Sequence, residues 1–126
     1  MKMIQTDKAP APAGHYAQAV EANGFIFVSG QLGINPSHPE DPVGSIEEQT
    51  HQVLQNVRAI LNAAGTDLNH VVKSTVYISN INLWGTVNKI YSTYFSIHTP
   101  ARAIVPTREL HHGYQIEMEV IAVKDL

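Results

Sequence analysis

Apolar residues recur with helical spacing in the middle of the chain, where they predict an amphipathic helix. The helix lies between Ser45 and Gly65, and its predicted inward face consists of Ile46, Thr50, Val53, Leu54, Val57, Ile60 and Leu61. Ser45 and Glu48 have the S-x-x-E spacing of a capping box. Gly65 can adopt the left-handed conformation that ends a helix. One face of this helix, about five turns long, must therefore pack on a flat apolar surface.

Strand-like segments flank the dipeptide Asn23-Gly24 within residues 16–30. This dipeptide best tolerates the positive φ angles of a type I′ turn, so the segment predicts a tight β-hairpin. A surface loop is indicated next by the segment GINPSHPEDPVG, because it is rich in proline and short polar residues.

The second half of the chain predicts another helix between further strands. This helix runs from about Leu83 to Ile97, with Asn80 or Asn82 as its cap. The predicted strands are 70–79, 101–107 and 114–123. The element order ββαβαββ, over a single domain of residues 1–126, predicts an α+β sandwich. Its sheet is mixed but mostly antiparallel, and both helices pack on one face.

The sheet face without helices is expected to carry both charged and large aliphatic side chains. The last strand alternates between polar and apolar residues in the order Gln115, Ile116, Glu117, Met118, Glu119 and Val120. Ile121 and Val123 nevertheless fall on the polar side. Ile104 joins them if the nearby Arg102 points there as well. Such a mixed face suits a surface closed by copies of the same chain, so we expect a homo-oligomer with clefts at subunit boundaries.

Composition narrows the class of protein. The chain has 126 residues, 44% of them hydrophobic, and a formal net charge of −3 without any run of lysines or arginines. This balance argues against a nucleic-acid or membrane-surface partner. No apolar run reaches the roughly 18 residues that cross a bilayer, and the first residues lack the apolar core of a signal peptide. Cysteine is absent, which excludes disulfides and thiolate chemistry. We expect a cytoplasmic, single-domain protein.

Arg102 is the one cation in the apolar segment HTPARAIVPT. Burying an unpaired guanidinium is costly, so its role needs an explanation. Two explanations stay open at this point. One is a cross-strand ion pair with Glu117 or Glu119 on the next strand, and the other is a bidentate clamp for a substrate carboxylate. Arg58, near the apolar stripe of the first helix, and Arg108, in a polar loop, are weaker candidates for such a clamp.

The other reactive residues match no catalytic motif. None of the seven histidines has HxxxH or HxH spacing, and adjacent His111 and His112 are expected to be a solvated pair, so we expect no metal. Ser29 does not lie in a G-x-S-x-G elbow, and no glycine-rich segment matches a phosphate loop. By itself, Tyr16 is typical of an ordinary aromatic residue at the start of a strand.

Five segments carry a more specific signal: in order, they are GHYAQAV, FVSGQLGINP, VNKIYSTYF, PARAIV and QIEMEVIAV. They resemble the signature blocks of the Rid family, also called YjgF or L-PSP, and the likeness extends from about Ala9 to Val123. The resemblance implies a chorismate-mutase-like fold. It also implies a homotrimer, in which the three sheets form a central barrel with the helices outside and the clefts between subunits.

The resemblance implies an activity as well. Members of the family's archetypal branch hydrolyse 2-imino acids and their enamine tautomers, such as 2-aminoacrylate, 2-iminopropanoate and 2-iminobutanoate. The products are 2-keto acids and ammonia, and no metal or organic cofactor is used. By this likeness Arg102 binds the substrate carboxylate, Glu117 orients a water and Tyr16 closes the pocket. The other positions that match the family's site are Ser29, Gly30, Asn88, Tyr91 and, two residues after the arginine, Ile104.

Three departures from the family pattern affect the predicted pocket. Ile104 stands where the archetypal branch commonly has cysteine, and His15 stands where many relatives have proline. Thr99 occupies a position where an aromatic residue often precedes the proline. The alternative hypothesis is therefore a trimer that binds a small carboxylate without turnover, or acts like a chaperone. An endoribonuclease or translation inhibitor is disfavoured by the acidic balance of the chain.

Overall fold

The computed structural model describes residues 1–125, which form one sheet and two helices. The strands are β1 (Lys2–Ile4), β2 (Ala19–Ala22), β3 (Phe25–Leu32), β4 (Val71–Ile78), β5 (Ala101–Pro106) and β6 (Ile116–Val123). The helices are α1 (Ile46–Ala63) and α2 (Trp84–Tyr94). The predicted α+β class is confirmed, with the addition of β1, a strand that the sequence pattern did not reveal.

The strands form a single sheet in the order β1-β2-β3-β6-β4-β5. All neighbouring strands are antiparallel except β4 and β5, which are parallel. The helix α2 supplies the crossover that a parallel pair requires. Because β4 separates β5 from β6, the first of the two explanations left open for Arg102, a cross-strand ion pair with Glu117 or Glu119, is wrong. Arg102 lies opposite Ser74 of β4, whereas Glu117 lies opposite Tyr77 on the other side of the same strand.

Both predicted ends of α1 are confirmed. The amide of Glu48 donates to Ser45 Oγ at 3.1 Å, and the amide of Ser45 donates to Glu48 Oε1 at 3.2 Å, which completes the capping box. At the other end Gly65 has a φ of 85°. The amides of Gly65 and Thr66 donate to carbonyls of the last turn at 3.1 and 3.0 Å, as in a Schellman motif.

The tight hairpin between β2 and β3 is also confirmed. Asn23 and Gly24 have φ angles of 52° and 80°, which the primed turns require. This turn sets the register of β3, in which Ile26 and Val28 are buried under the helices.

The helix α2 is shorter than predicted. It ends at Tyr94 instead of Ile97, since Phe95 already has a φ of −120° and a ψ of 65°. Asn80 caps the short 3₁₀ turn that precedes the helix, and α2 itself has no side-chain cap. Tyr91 is buried on the inner side of α2, where the helix faces the sheet.

The two faces of the sheet differ sharply. The helices cover one face, and the largest fully buried apolar side chains there are Ile26, Leu54, Ile60, Leu61, Ile78, Ile116 and Met118. The opposite side, here called the open face, carries Phe25, Phe27, Glu117, Glu119, Ile121 and Val123. On it Phe25 and Phe27 are 41% and 45% exposed, with Val123 and Ile121 as their partners on β6. The charge and exposed apolar surface expected on one face are therefore present together.

The strand β5 directs two candidate residues toward the helices and not toward the open face. Arg102 and Ile104 lie opposite Ser74 and Val76 of β4, both of which are fully buried on the helix side. Residues paired in parallel strands share a face. Arg102 and Ile104 do share a face, but it is the face under α2, so the condition for placing Ile104 on the face without helices is not met.

Candidate active site

The Arg102 side chain is half-buried at the edge of the sheet, beside α2. Its Nη1 donates a hydrogen bond of 2.8 Å to Asn88 Oδ1. No salt bridge to Arg102 is present within residues 1–125. A guanidinium has five N–H donors, so this contact with the chain leaves most of them free for a ligand. The amide of Asn88 thus orients the guanidinium without neutralising it.

Two aromatic rings lie close to the guanidinium of Arg102. Arg102 Cζ lies 4.8 Å from the centroid of the Tyr91 ring and 5.8 Å from that of the Trp84 ring. Both distances permit cation–π attraction, which holds a cation without using its hydrogen-bond donors. Trp84 was not among the residues predicted from the sequence. It precedes Asn88 by one helical turn, and that i, i+4 spacing is a signal that could have identified it.

A buried hydrogen bond fixes the Tyr91 ring. Its hydroxyl lies 2.6 Å from Ser74 Oγ, and the Ser74 side chain is fully buried. Burial raises the pKa of the Tyr91 hydroxyl, and the Ser74 hydrogen bond and the charge of Arg102 oppose this only in part. Tyr91 therefore stays neutral at physiological pH, and its ring supports Arg102 as a rigid wall.

Arg102, Asn88 and Tyr91 line a cleft of about 420 Å³ between α2 and the start of β5, here called the edge cleft. Its walls include Asn88, Tyr91, Phe95, Thr99 and Arg102. Ile104 is not part of this wall, since it packs against the hydrophobic core under α2. The edge cleft therefore combines a single unneutralised cation with aromatic walls, which suits a small organic anion.

The Glu117 carboxylate lies on the open face and touches the backbone of Gly30. A Cβ built on Gly30 would lie 3.0 Å from Glu117 Cδ and closer still to Oε2. Only glycine leaves room for the carboxylate at this point. The pairing of β3 with β6 shifts between Val28 and Gln31, which is the mark of a β-bulge that takes Ser29 and Gly30 out of the regular ladder.

Burial raises the pKa of Glu117 above the ordinary value for a glutamate. The neighbouring Glu119 raises this pKa further, and His111 lowers it. A raised pKa makes the carboxylate of Glu117 a stronger base than an ordinary glutamate. His111 and His112 are both exposed and their rings pack against each other, as expected of a solvated pair. Both residues also line the cleft that contains Glu117.

This second cleft, here called the open-face cleft, has a volume of about 520 Å³. It brings together four sequence-predicted residues, Tyr16, Ser29, Gly30 and Glu117. Tyr16 is 49% exposed at its rim, and its hydroxyl accepts a hydrogen bond of 3.2 Å from the amide of Ala13. Ser29 is held from below, since its Oγ donates to the Ala17 carbonyl at 2.6 Å.

The predicted site residues thus form two groups that do not meet within one chain. Arg102, Asn88 and Tyr91 lie at the edge on the helix side of the sheet, whereas Glu117 and its neighbours lie on the opposite face. The edge cleft contains the cation Arg102, and the open-face cleft contains the carboxylate of Glu117.

Within residues 1–125, no three His, Asp or Glu side chains converge in a way that could hold a metal ion. In the same part of the chain, neither helix is long and apolar enough to cross a bilayer.

Comparisons with known proteins give matches over nearly the whole chain. The sequence model of the endoribonuclease L-PSP family matches residues 6–124. A mouse protein named 2-iminobutanoate/2-iminopropanoate deaminase is 46% identical over 123 residues, which span 98% of this chain and 91% of the mouse protein. RidA from the Antarctic bacterium Psychrobacter sp. superposes with a TM-score of 0.93 at 39% identity, covering 98% of this chain and 99% of that one. E. coli TdcF, solved with bound serine, has a TM-score of 0.93 at 34% identity, covering 99% and 100%.

Proposed function

Because this chain belongs to the endoribonuclease L-PSP family, also called the Rid family, we propose that it hydrolyses small 2-imino acids and their enamine tautomers to 2-keto acids and ammonia. The mouse relative is named for this activity on 2-iminobutanoate and 2-iminopropanoate. The observation that carries the proposal is Arg102, an unneutralised guanidinium held by Asn88 and two aromatic rings at the wall of a cleft.

Arg102 anchors the substrate carboxylate. Its planar N–H donors match two carboxylate oxygens, and such a charge-assisted contact contributes about 1.5–3 kcal/mol. Asn88 and Tyr91 hold the guanidinium in place, so little conformational freedom is lost on binding. The aromatic walls accommodate the short carbon chain of the imine, which favours small substrates over large ones.

Glu117 supplies the proton transfers. In the protonated imine the carbon is electrophilic, and a water oxygen bonds to it while the Glu117 carboxylate accepts the water proton. Glu117 then returns this proton to the amine nitrogen of the tetrahedral intermediate. The C–N bond breaks, ammonia leaves, and the hydroxyl becomes the carbonyl of the 2-keto acid as its proton passes to Glu117 and then to solvent. The raised pKa of Glu117 suits both directions of transfer.

A complete site requires two copies of the chain. Arg102 and Glu117 lie on opposite faces of one sheet, so the edge cleft of one subunit has to meet the open-face cleft of the next. The exposed Phe25 and Phe27 on the open face support such an assembly, because apolar surface of this kind is normally covered in a stable protein. We propose a cytoplasmic homotrimer with sites between subunits, which is the closed arrangement that the family resemblance implies.

The first test is Arg102→Ala, assayed on 2-iminopropanoate that a serine dehydratase generates in the reaction. Hydrolysis is expected to fall by about 10–100-fold, as the loss of a charge-assisted contact implies. Arg58→Ala is the matched control, because Arg58 also lies over an aromatic ring, at 5.1 Å from Tyr94, on the exposed side of α1. Unchanged hydrolysis by Arg102→Ala would remove the basis of the proposal.

The second test asks whether one site is built from two chains. Arg102→Ala and Glu117→Gln each have strongly reduced activity alone, but co-expressed chains create some clefts in which the Arg102 half and the Glu117 half are both intact. With random assembly about one cleft in four is intact, so the mixture recovers about a quarter of the wild-type rate. If mixed assemblies are no more active than either variant alone, the halves do not meet across an interface.

Two other outcomes lead to different functions. If calorimetry shows that 2-ketobutyrate binds while imines are not hydrolysed, the protein is a sensor of small carboxylates. The serine bound to E. coli TdcF motivates this measurement. If single-stranded RNA is cleaved, and cleavage is lost in Glu117→Gln, the protein is an endoribonuclease, as the name of the family says.

A further inference from the structure

His111 is held at the wall of the open-face cleft by an ordered turn between β5 and β6. The turn spans His111–Gly113, and the amide of Tyr114 donates to the His111 carbonyl at 3.2 Å. His112 and Gly113 have φ angles of 60° and 79°. Such angles are uncommon for a residue other than glycine. The His111 ring also packs edge-on against the His112 ring, with 5.0 Å between centroids.

The groups that surround Glu117 are almost all acidic or neutral. The titratable ones on the adjacent elements are Tyr16, Tyr77, Glu109, His111, His112 and Glu119. Tyr77 lies opposite Glu117 on β4 and donates a hydrogen bond of 2.6 Å to Glu119 Oε1. The residues lining the open-face cleft include no lysine and no arginine.

A general base has to be ionised before the water attacks. In this cleft, burial and the neighbouring Glu119 both favour the protonated form of Glu117, and only His111 has the opposite effect on its pKa. Arg102 of an adjacent copy does not supply the missing charge, because the substrate carboxylate neutralises it in the proposed complex. The cleft therefore needs a cation of its own.

We propose that the imidazolium of His111 is the counter-charge that keeps Glu117 in its carboxylate form for the attack of water. This inference rests on the proposed function. His111 acts through Glu117 and not on the substrate, so it is a positioning residue. Histidine gains its charge as the pH falls below neutrality. A cation in the cleft of Glu117 favours the ionised carboxyl group, so we expect His111 to extend activity toward acid pH.

The test compares pH–rate profiles of the wild type, His111→Gln, His111→Lys and His112→Asn. At pH 5.5, His111→Gln is expected to lose about three- to tenfold of the wild-type kcat, and at pH 8 it stays within about twofold. His111→Lys restores a cation and keeps the acid side of the profile. His112→Asn removes the neighbouring ring, suits the left-handed backbone, and leaves the acid limb where it is. Superimposable profiles of the wild type and His111→Gln would overturn the inference.

A second measurement tests the role of His111 without an activity assay. The carbon resonance of the Glu117 carboxyl group, followed by NMR against pH, reports its ionisation directly. The midpoint moves to higher pH in His111→Gln and stays in place in His112→Asn. An unchanged midpoint in His111→Gln overturns the inference even if the enzyme is active. A wild type that hydrolyses no imine at any pH refutes the proposed function instead.

Discussion

Replacing Gly30 with alanine tests whether activity depends on the position of the Glu117 carboxylate. A Cβ on Gly30 would lie 3.0 Å from Glu117 Cδ and 3.3 Å from Cγ. Optimal carbon contacts lie at about 3.5–4.0 Å, and the carboxylate oxygen is closer still, so the group has to move by about 1 Å. Because the obstacle is the end of a flexible side chain, the backbone of β3 keeps its place.

The size of the effect follows from that displacement. Misplacing a reacting group by about 1 Å lowers a rate by about 10²-fold, which corresponds to about 2.7 kcal/mol of transition-state stabilisation. For Gly30→Ala we expect kcat on 2-iminopropanoate to fall about a hundredfold. KM changes little because Arg102 is untouched, and the Tm stays within about 2 °C of the wild type.

Two other glycines provide controls. A Cβ on Gly33 would lie 2.8 Å from the carbonyl oxygen of Gln49 and 2.9 Å from its Cα, both in the backbone of α1, so Gly33→Ala lowers the Tm. A Cβ on Gly85 would meet nothing within 4 Å, so Gly85→Ala keeps both fold and activity. The rate is measured with the dehydratase-coupled assay, and Tm by circular dichroism. Wild-type kcat in Gly30→Ala, or a fall in Tm like that of Gly33→Ala, would refute the reasoning.

Three further substitutions test the two halves of the site. Arg102→Lys keeps the charge but loses the planar set of N–H donors and the stacking on the aromatic rings, so kcat/KM is expected to fall about 10–100-fold in steady-state assays. A change of less than about twofold would argue against a bidentate anchor. Glu117→Gln removes a carboxylate whose pKa is raised by burial. Such a carboxylate destabilises the folded protein as the pH rises from the unfolded-state pKa to the folded-state pKa. The Tm of this variant therefore exceeds that of the wild type at pH 8 and equals it at pH 3; the same Tm difference at both pH values would contradict this. Tyr91→Phe leaves the Ser74 hydroxyl buried without its partner, while the ring still supports Arg102. The free energy of unfolding, measured by urea titration, is expected to fall by about 1–3 kcal/mol. Unchanged stability would indicate that the hydroxyl finds another partner.

Structural features that depend on a few neighbouring residues were predicted correctly from the sequence. The capping box at Ser45, the left-handed stop at Gly65 and the turn at Asn23-Gly24 are all present. Each of them depends on hydrogen bonds or φ angles within one turn of chain, so local residue types decide them. Of the residues that the family blocks matched to a site, Arg102 and Glu117 line one cleft each, whereas Ile104 lines neither.

The arrangement of those side chains depends on contacts between distant parts of the chain. Strand order placed β4 between β5 and β6, and the register of β4 with each of them put Arg102 and Glu117 on opposite faces. The same register turned Ile104 toward the core, and the connection from β5 to β6 brought His111 into the open-face cleft. Most helices, strands and turns were predictable from the residues, because they follow from local backbone preferences and side-chain chemistry. Which reactive residues come together was not, because strand pairing is set by the burial of whole faces under the two helices.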